Sequence, residues 1–322
     1  MKEIFIKDLR KDMEITEFFM VKSIGIKTGS NGKQYLDLLL GDKTGDITGK
    51  KWDVSEAEQP ALLEIKEKDI VKIKGLVTEW AGQLQLRTQR IRKATPEDEQ
   101  AIGDYVKAAP EDPEEMYSYI LSVVEGFADE DLKKLCMRSL TDNRQKLLYY
   151  PAAAKNHHAQ LGGLLYHTKR MLMTGEKICQ VYTTLNKDMV LCGVILHDME
   201  KLNEIMAEED GIASGYSFEG QMLGHIIQGI KVVDQMAIEL EIPREKAIMV
   251  EHMILSHHYE PEYGSPKKPL FPEAELLHYL DIIDARLFDM QTALDGTEPG
   301  DFSDRVWTLD NRKLYKPKEE NK

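Results

Sequence analysis

Residues 188–205 read DMVLCGVILHDMEKLNEI, an apolar helical stretch that runs into His197-Asp198. An aspartate beside a histidine at the end of a core helix is costly to bury unless something cationic holds both. Candidate partners stand at wide spacing on either side: His167 before it, then His225, His257-His258 and Asp281 after it. Each falls on a different predicted helix, so a folded helical domain has to assemble them. Lys201 lies four residues after His197 and therefore on the same helix face, close to the Asp198 side. Imidazole and carboxylate suit a hard or borderline divalent cation, and a nearby ammonium suits a phosphate oxygen. Taken alone, His197-Asp198-Lys201 reads equally well as a helix-end histidine with a local ion pair.

The surrounding sequence is helical throughout. Met116, Tyr119, Ile120, Val123, Val124 and Phe127 recur at helical spacing. Further helices are predicted over 129–139, 164–182, 188–207, 217–240, 244–258 and 273–294, with no strand-rich stretch between them, which predicts an all-α domain. Residues 94–113, TPEDEQAIGDYVKAAPEDPE, read as a linker, in which Pro110 and Pro113 mark a stop and a fresh helix start. The expected organisation is a barrel domain over 1–93, the linker 94–113, a helical domain over 114–305 and a charged C-terminal tail over 306–322, frayed from Leu314 on.

Residues 1–93 read as β structure. Strand-like runs at 18–24, 33–40, 47–52, 70–77 and 82–87 are separated by turn chemistry such as KTGSNGK and GDKTGD. About five short strands with one helical insert near 59–66 fit a small Greek-key barrel. The charge supports two jobs. Residues 1–93 hold 18 Lys+Arg against 15 Asp+Glu, whereas the remainder holds 24 against 41, within a net charge of -14.

Three cysteines, Cys136, Cys179 and Cys192, are an odd number without a CxxC pair and read as reduced core residues of a cytoplasmic protein. The start MKEIFIKDLRKD has no signal-peptide apolar run, and Met189 to Leu196 is too short to span a bilayer. Fifteen methionines could pack in a homo-oligomer as easily as in a core. No Walker-type phosphate loop and no nucleophilic serine or cysteine motif occurs.

The strings LDLLLGDKTGDI, GKKWD and VKIKGLV resemble the OB-fold of nucleic-acid-binding anticodon-type modules. Such folds hold single strands with exposed aromatics and a cationic groove. Lys33, Tyr35, Lys50, Lys51, Trp52 and Arg87 are the candidates for that surface. The order H…HD…H…HH…D, carried by HHAQLGGLLYHT, ILHD, LGHI, ILSHHYEPEYGSPKKP and LLHYLDIIDARL, resembles the HD-domain metallohydrolases over roughly 150–290. The resemblance implies a first metal held by His167, His197, Asp198 and Asp281. It implies a second held by His225 and His257, with His258 as a further candidate and Asp198 bridging the two ions. Asp284 is then an outer carboxylate, and His278 is placed to orient Asp281. His157-His158 could contact substrate or move protons, or equally be a solvated loop pair; on the first reading His158 joins Asp198 and Lys201 as a catalytic candidate. His252 reads as structural. Many family members carry Gly directly before the lysine; Glu200 stands there in this chain and puts the placement of Lys201 in question.

Two metal ions about 3.5–4 Å apart can share a hydroxide and neutralise a phosphoryl group, which makes phosphodiester hydrolysis the natural chemistry. A barrel followed by an HD domain resembles the YhaM-type 3′–5′ exoribonucleases over nearly the whole chain. This implies manganese-dependent release of nucleoside 5′-monophosphates from single-stranded RNA, with single-stranded DNA as a further substrate. The alternatives are an HD phosphohydrolase acting on a small nucleotide or cyclic dinucleotide, although HHYEPEYGSP lacks a GYP loop, and a non-catalytic RNA-binding protein with a degenerate site.

Overall fold

The computed structural model describes residues 2–29, 32–52, 54–55, 58–154 and 158–318. His157, expected to share the role of His158, lies outside the described residues, as do the last four residues of the expected tail. The chain forms two compact units, Met1–Ala108 and Ala109–Lys322. No helix among the described residues is long and apolar enough to cross a membrane.

The first unit is a closed barrel of five strands: β1 (Glu14–Thr28), β2 (Gln34–Asp42), β3 (Gly45–Lys51), β4 (Ile70–Trp80) and β5 (Gln83–Lys93), with helix α1 (Gln59–Leu63) between β3 and β4. Around the barrel the order is β1-β2-β3-β5-β4, with β4 pairing back onto β1. Only β3 and β5 run parallel; the other pairs are antiparallel. This is the small barrel expected from the strand pattern, in the OB-fold form that the resemblance implies. Leu36, Leu38 and Leu40 point inward from β2, and Val71, Ile73 and Val77 from β4, where they meet Phe19, Ile47 and Leu86. The stretch expected as a linker carries short 3-10 turns, and Tyr105 within it is fully buried.

The second unit is helical: α2 (Pro113–Glu125), α3 (Glu130–Leu147), α4 (Gly163–Val181), α5 (Lys187–Leu196), α6 (Lys201–Glu204), α7 (Phe218–Glu239), α8 (Arg244–Ser256) and α9 (Pro272–Asp295). Starts follow capping chemistry. Asp112 accepts from the Glu114 and Glu115 N–H groups ahead of Pro113, Asp129 caps α3, Asn186 caps α5 and Ser217 caps α7. Nearly every residue of α5 is buried, so this helix is the axis on which the others pack. The three cysteines are buried and free.

Two expectations need correcting. The helix expected over 188–207 ends at Leu196, and residues 197–200 form turns before the single turn of α6. The helical unit also contains a small hairpin, β6 (Ile205–Ala207) and β7 (Ala213–Tyr216), joined through Asp210-Gly211. Strands of three and four residues are too short to produce a readable alternation. At the other end, residues 302–315 fold back through the bridges Phe302↔Tyr315 and Val306↔Arg312, and Leu309 is fully buried.

The Gly162-Gly163 turn starts α4 where the chain passes closest to the preceding loop. A Cβ on Gly163 would lie 2.0 Å from the His158 carbonyl oxygen. That carbonyl is itself held by the N–H groups of Ala152 and Gln160. Gly163→Ala is therefore expected to lower stability by about 1–3 kcal/mol through backbone overpacking, read as a lower thermal unfolding midpoint than that of wild type.

Candidate metal centre

Two helices end at the site in the same way. His197 caps the C-terminus of α5 and its Nδ1 lies 2.9 Å from the Val194 carbonyl; His257 caps α8 with Nδ1 2.7 Å from the Ile254 carbonyl. In each case a last-turn carbonyl left without an intrahelical donor takes the ring N–H. That fixes the tautomer and turns the Nε2 lone pair outward. Both helix C-termini also bring partial negative charge, which favours a cation.

His225 is aimed by a break. The helical backbone of α7 is interrupted at Gly224 (φ 66°, ψ 166°), a conformation open essentially to glycine alone. The next residue, His225, puts its Nδ1 2.9 Å from Glu204 Oε2. Asp198 sits in the turn after α5, and Asp281 is on α9, one turn ahead of Asp284.

These elements bring the expected ligands together around Asp198. Its Oδ2 faces His197 Nε2 at 3.4 Å and His167 Nε2 at 3.8 Å, while its Oδ1 faces His225 Nε2 at 3.4 Å and His257 Nε2 at 3.9 Å. Asp281 Oδ1 lies 3.5 Å from His167 Nε2. Asp198, His225, His257 and His258 offer ligand atoms within 4.8 Å of one another, as do His167, His197 and Asp198, and also His197, His257 and Asp281. The closest separations exceed ordinary hydrogen-bond lengths. Asp198 Oδ1 and the Nε2 atoms of His197, His225 and His257 are buried with no hydrogen-bond partner among the described residues. Buried polar atoms are normally satisfied, so four orphaned ligand atoms converging on one point fit a divalent cation.

The electrostatics agree. Burial alone would raise the Asp198 carboxyl, but Lys201 and the histidines hold it well below the usual carboxylate range. Burial opposes protonation of Lys201 and His197, yet Asp198 outweighs it and raises both. Burial pushes His257 well down, and His258 down, so both rings are neutral and able to ligate. Lys201 Nζ donates to Asp198 Oδ2 at 2.7 Å. Glu200, which left its placement open, is buried and accepts from Asn203 at 2.6 Å instead of displacing the lysine.

A third group, His158, His167 and Asp284, is an outer layer. Asp284 Oδ2 lies 2.7 Å from His158 Nε2 and 2.8 Å from His167 Nδ1, and Arg170 Nε donates to Oδ1 at 2.7 Å. The guanidinium already supplies the counter-charge that a metal would bring there. Burial would raise Asp284, but the two histidines hold it below the usual range. His158 is fully buried, packs on Phe288 and takes a left-handed backbone (φ 54°). His278, expected to orient Asp281, places its Nδ1 2.8 Å from the His257 carbonyl. His252 accepts the Leu270 N–H and packs on Phe271. Glu204 and Arg170 were not singled out from the sequence, because a lone charge on a helix looks like any solvated one.

On the barrel, Tyr35 and Trp52 lie with ring centroids 4.7 Å apart, and Lys50 Nζ stands 5.5 Å and 5.7 Å from them. Arg87 on β5 is in register with Lys50 and exposed; Lys33 lies just before β2 and is exposed. Lys51 points to the other side of β3 and pairs with Glu58 at 2.8 Å.

The fold and these ligand groups define a helical histidine–aspartate metal-site domain behind an OB-type barrel. Residues 164–286 match the HD domain family, and so place this unit in the metal-dependent phosphohydrolase superfamily. Among solved structures the chain is similar to the second OB-fold domain of replication protein A from Methanococcus maripaludis, at 23% identity and a TM-score of 0.24 over 30% of this chain and 96% of that one. It is also similar to a replication protein A heterotrimer bound to single-stranded DNA, at 16% identity and 0.22 over 30% and 69%. A third is asparaginyl-tRNA synthetase from Pyrococcus horikoshii, at 12% identity and 0.25 over 46% and 36%.

Two outcomes are expected. Asp284→Asn should weaken Mn2+ binding by about 10- to 100-fold, the usual cost of losing an outer-layer carboxylate, measured by isothermal titration calorimetry. Burial lowers His158 to about 4, against the Asp284 bond that raises it. The unfolded chain, with histidine near about 6.5, takes up that proton first. Stability of the metal-free protein should therefore fall as pH drops from about 6.5 toward about 4, and urea unfolding of His158→Gln should show a shallower fall over the same window.

Proposed function

We propose that the protein is a metal-dependent 3′–5′ exoribonuclease that releases nucleoside 5′-monophosphates from single-stranded RNA and accepts single-stranded DNA. The observation that carries this reading is the division of Asp198 between two histidine sets, one at each oxygen. His167, His197, Asp198 and Asp281 would hold one divalent ion; His225, His257, His258 and Asp198 would hold another. When bound, such ions supply Lewis acidity and lower the pKa of water. Manganese, RNA and the direction of cleavage come from the resemblance to YhaM-type enzymes.

The chain's own residues supply the rest. Lys201 keeps Asp198 ionised and sets a buried ammonium beside the position of a substrate phosphate. His158 acts through Asp284, which holds the His167 ring, so we assign it as a positioning residue. On the barrel, bases stack on Tyr35 and Trp52 while Lys50, Arg87 and Lys33 meet the backbone. The covalent link keeps a bound strand near the metal centre at high effective concentration.

Purified protein with Mn2+ should convert 3′-labelled RNA to labelled mononucleotide, and Asp198→Ala should reduce this to background. Persistent cleavage by Asp198→Ala would sink the metal assignment. Hydrolysis of a cyclic dinucleotide with no RNA cleavage would replace the polymer substrate with a small nucleotide.

A further inference from the structure

The barrel carries a second cationic surface, built from residues other than Tyr35, Trp52 and Lys50. On the outer side of β1, β4 and β5, Lys72 stands directly opposite Arg92, and Lys74 directly opposite Arg90. Like charges facing each other across a strand pair are destabilising, and here two such pairs follow each other along the same strands, about 7 Å apart. Thr16 flanks Lys74 on β1. Together with Lys51 they line a cavity of about 560 Å³, to which α1 contributes Ala61 and Leu62.

The neighbouring carboxylates neutralise only part of this charge. Glu58 pairs with Lys51 at 2.8 Å, and Lys51 with the Ser55 contacts lowers Glu58 to about 2. Asp98 takes two hydrogen bonds from Arg92 and lies 3.9 Å from Lys72. Lys74 and Arg90 are exposed and have no carboxylate partner among the described residues. Apart from Thr16, the side-chain donors here are all cationic, which suits an anionic ligand. Several cations around a volume of this size match a ligand with more than one phosphate group, which arginine binds through its forked donors.

We propose that this cavity is a phosphate-binding site, lined by residues other than those of the Tyr35–Trp52 platform. Its phosphates come either from the backbone of a bound strand or from a free nucleoside polyphosphate.

The test titrates the full chain, without added metal, with inorganic tripolyphosphate by calorimetry. Circular dichroism checks that each variant is folded. Lys74→Ser with Arg90→Ser is expected to weaken tripolyphosphate binding at least 10-fold, while Tyr35→Ala with Trp52→Ala leaves it unchanged. Equal affinity in wild type and Lys74→Ser/Arg90→Ser, or no binding by wild type at 50 mM salt, overturns the site. A single-stranded oligonucleotide then separates the two sources. If the strand uses the cavity, loss of two contacts makes the salt dependence of its binding shallower by about 1.4 in log–log slope. If only tripolyphosphate binding falls, the ligand is a free polyphosphate. Failure of the platform reading shows separately, as oligonucleotide binding that Tyr35→Ala/Trp52→Ala does not change.

Discussion

A buried carboxylate sets the terms for the helical unit. Asp198 is 3% exposed, and a carboxylate at that depth requires compensation by charge and hydrogen bonds. Lys201 supplies one cation three residues away, and four imidazoles ring the two oxygens. The architecture can be understood as the means of delivering them. Helix α5 is buried on all sides and stops where His197 and Asp198 begin. Helix α8 stops at His257, α7 breaks immediately before His225, and α9 runs past with Asp281 and Asp284 on successive turns. A continuous α5 would carry Asp198 and Lys201 away on its own spiral, so ending the helix is part of the site.

Orientation comes from the far side of each ring. His197 and His257 are tied to helix carbonyls, His225 to Glu204, His258 to the Tyr263 carbonyl and His167 to Asp284. With Nδ1 occupied in every case, the five rings share one tautomer, and those of His167, His197, His225 and His257 turn Nε2 toward Asp198. Asp284 is the one anchor that is both charged and shared. It therefore needs Arg170, and it gathers His158 as well. Removing any one anchor would free a ring to rotate, which costs ligand geometry more than it costs packing.

The barrel and the order of the ligands were legible in the sequence because both rest on strong local signals. Period-two alternation in 70–77 and the DKTG turn mark strands, apolar residues at helical spacing mark helices, and Pro113 marks a helix start. The histidines were legible as a set because few roles outside metal binding bring five of them together with two aspartates. The break after Leu196 was not legible, since the residues beyond it, MEKLNEI, keep an acceptable helical composition. The turn there is imposed by tertiary demands on Asp198, which override propensity. The same holds for the outer layer. Glu204, Arg170 and the partner of His278 are defined by contacts 21, 114 and 21 residues distant in the chain, and one sequence carries no sign of such pairings. Glu200 looked disruptive because a glycine is usual there; a half-buried bond from Asn203 absorbs it.

Net charge is a poor guide to what this chain can bind. At -14 it would repel a polyanion if its carboxylates were spread evenly and acted at long range. Neither condition holds. Screening at physiological salt confines exposed charges to about 8 Å, so a phosphate on the barrel meets only the groups beside it. Those groups are Lys50 and Arg87 by the aromatic pair, and at the cavity Lys72, Lys74, Arg90 and Arg92 in two opposed pairs, with Glu58 and Asp98 beside them. The Lys74–Arg90 pair, which no carboxylate bridges among the described residues, costs the free barrel something of the order of 0.2–1 kcal/mol, an amount a five-stranded closed core tolerates, whereas Asp98 already bridges Lys72 and Arg92. An anion that bridges such a pair removes that cost on binding. The local arrangement of cations, more than their excess over acids, therefore decides where phosphate is held.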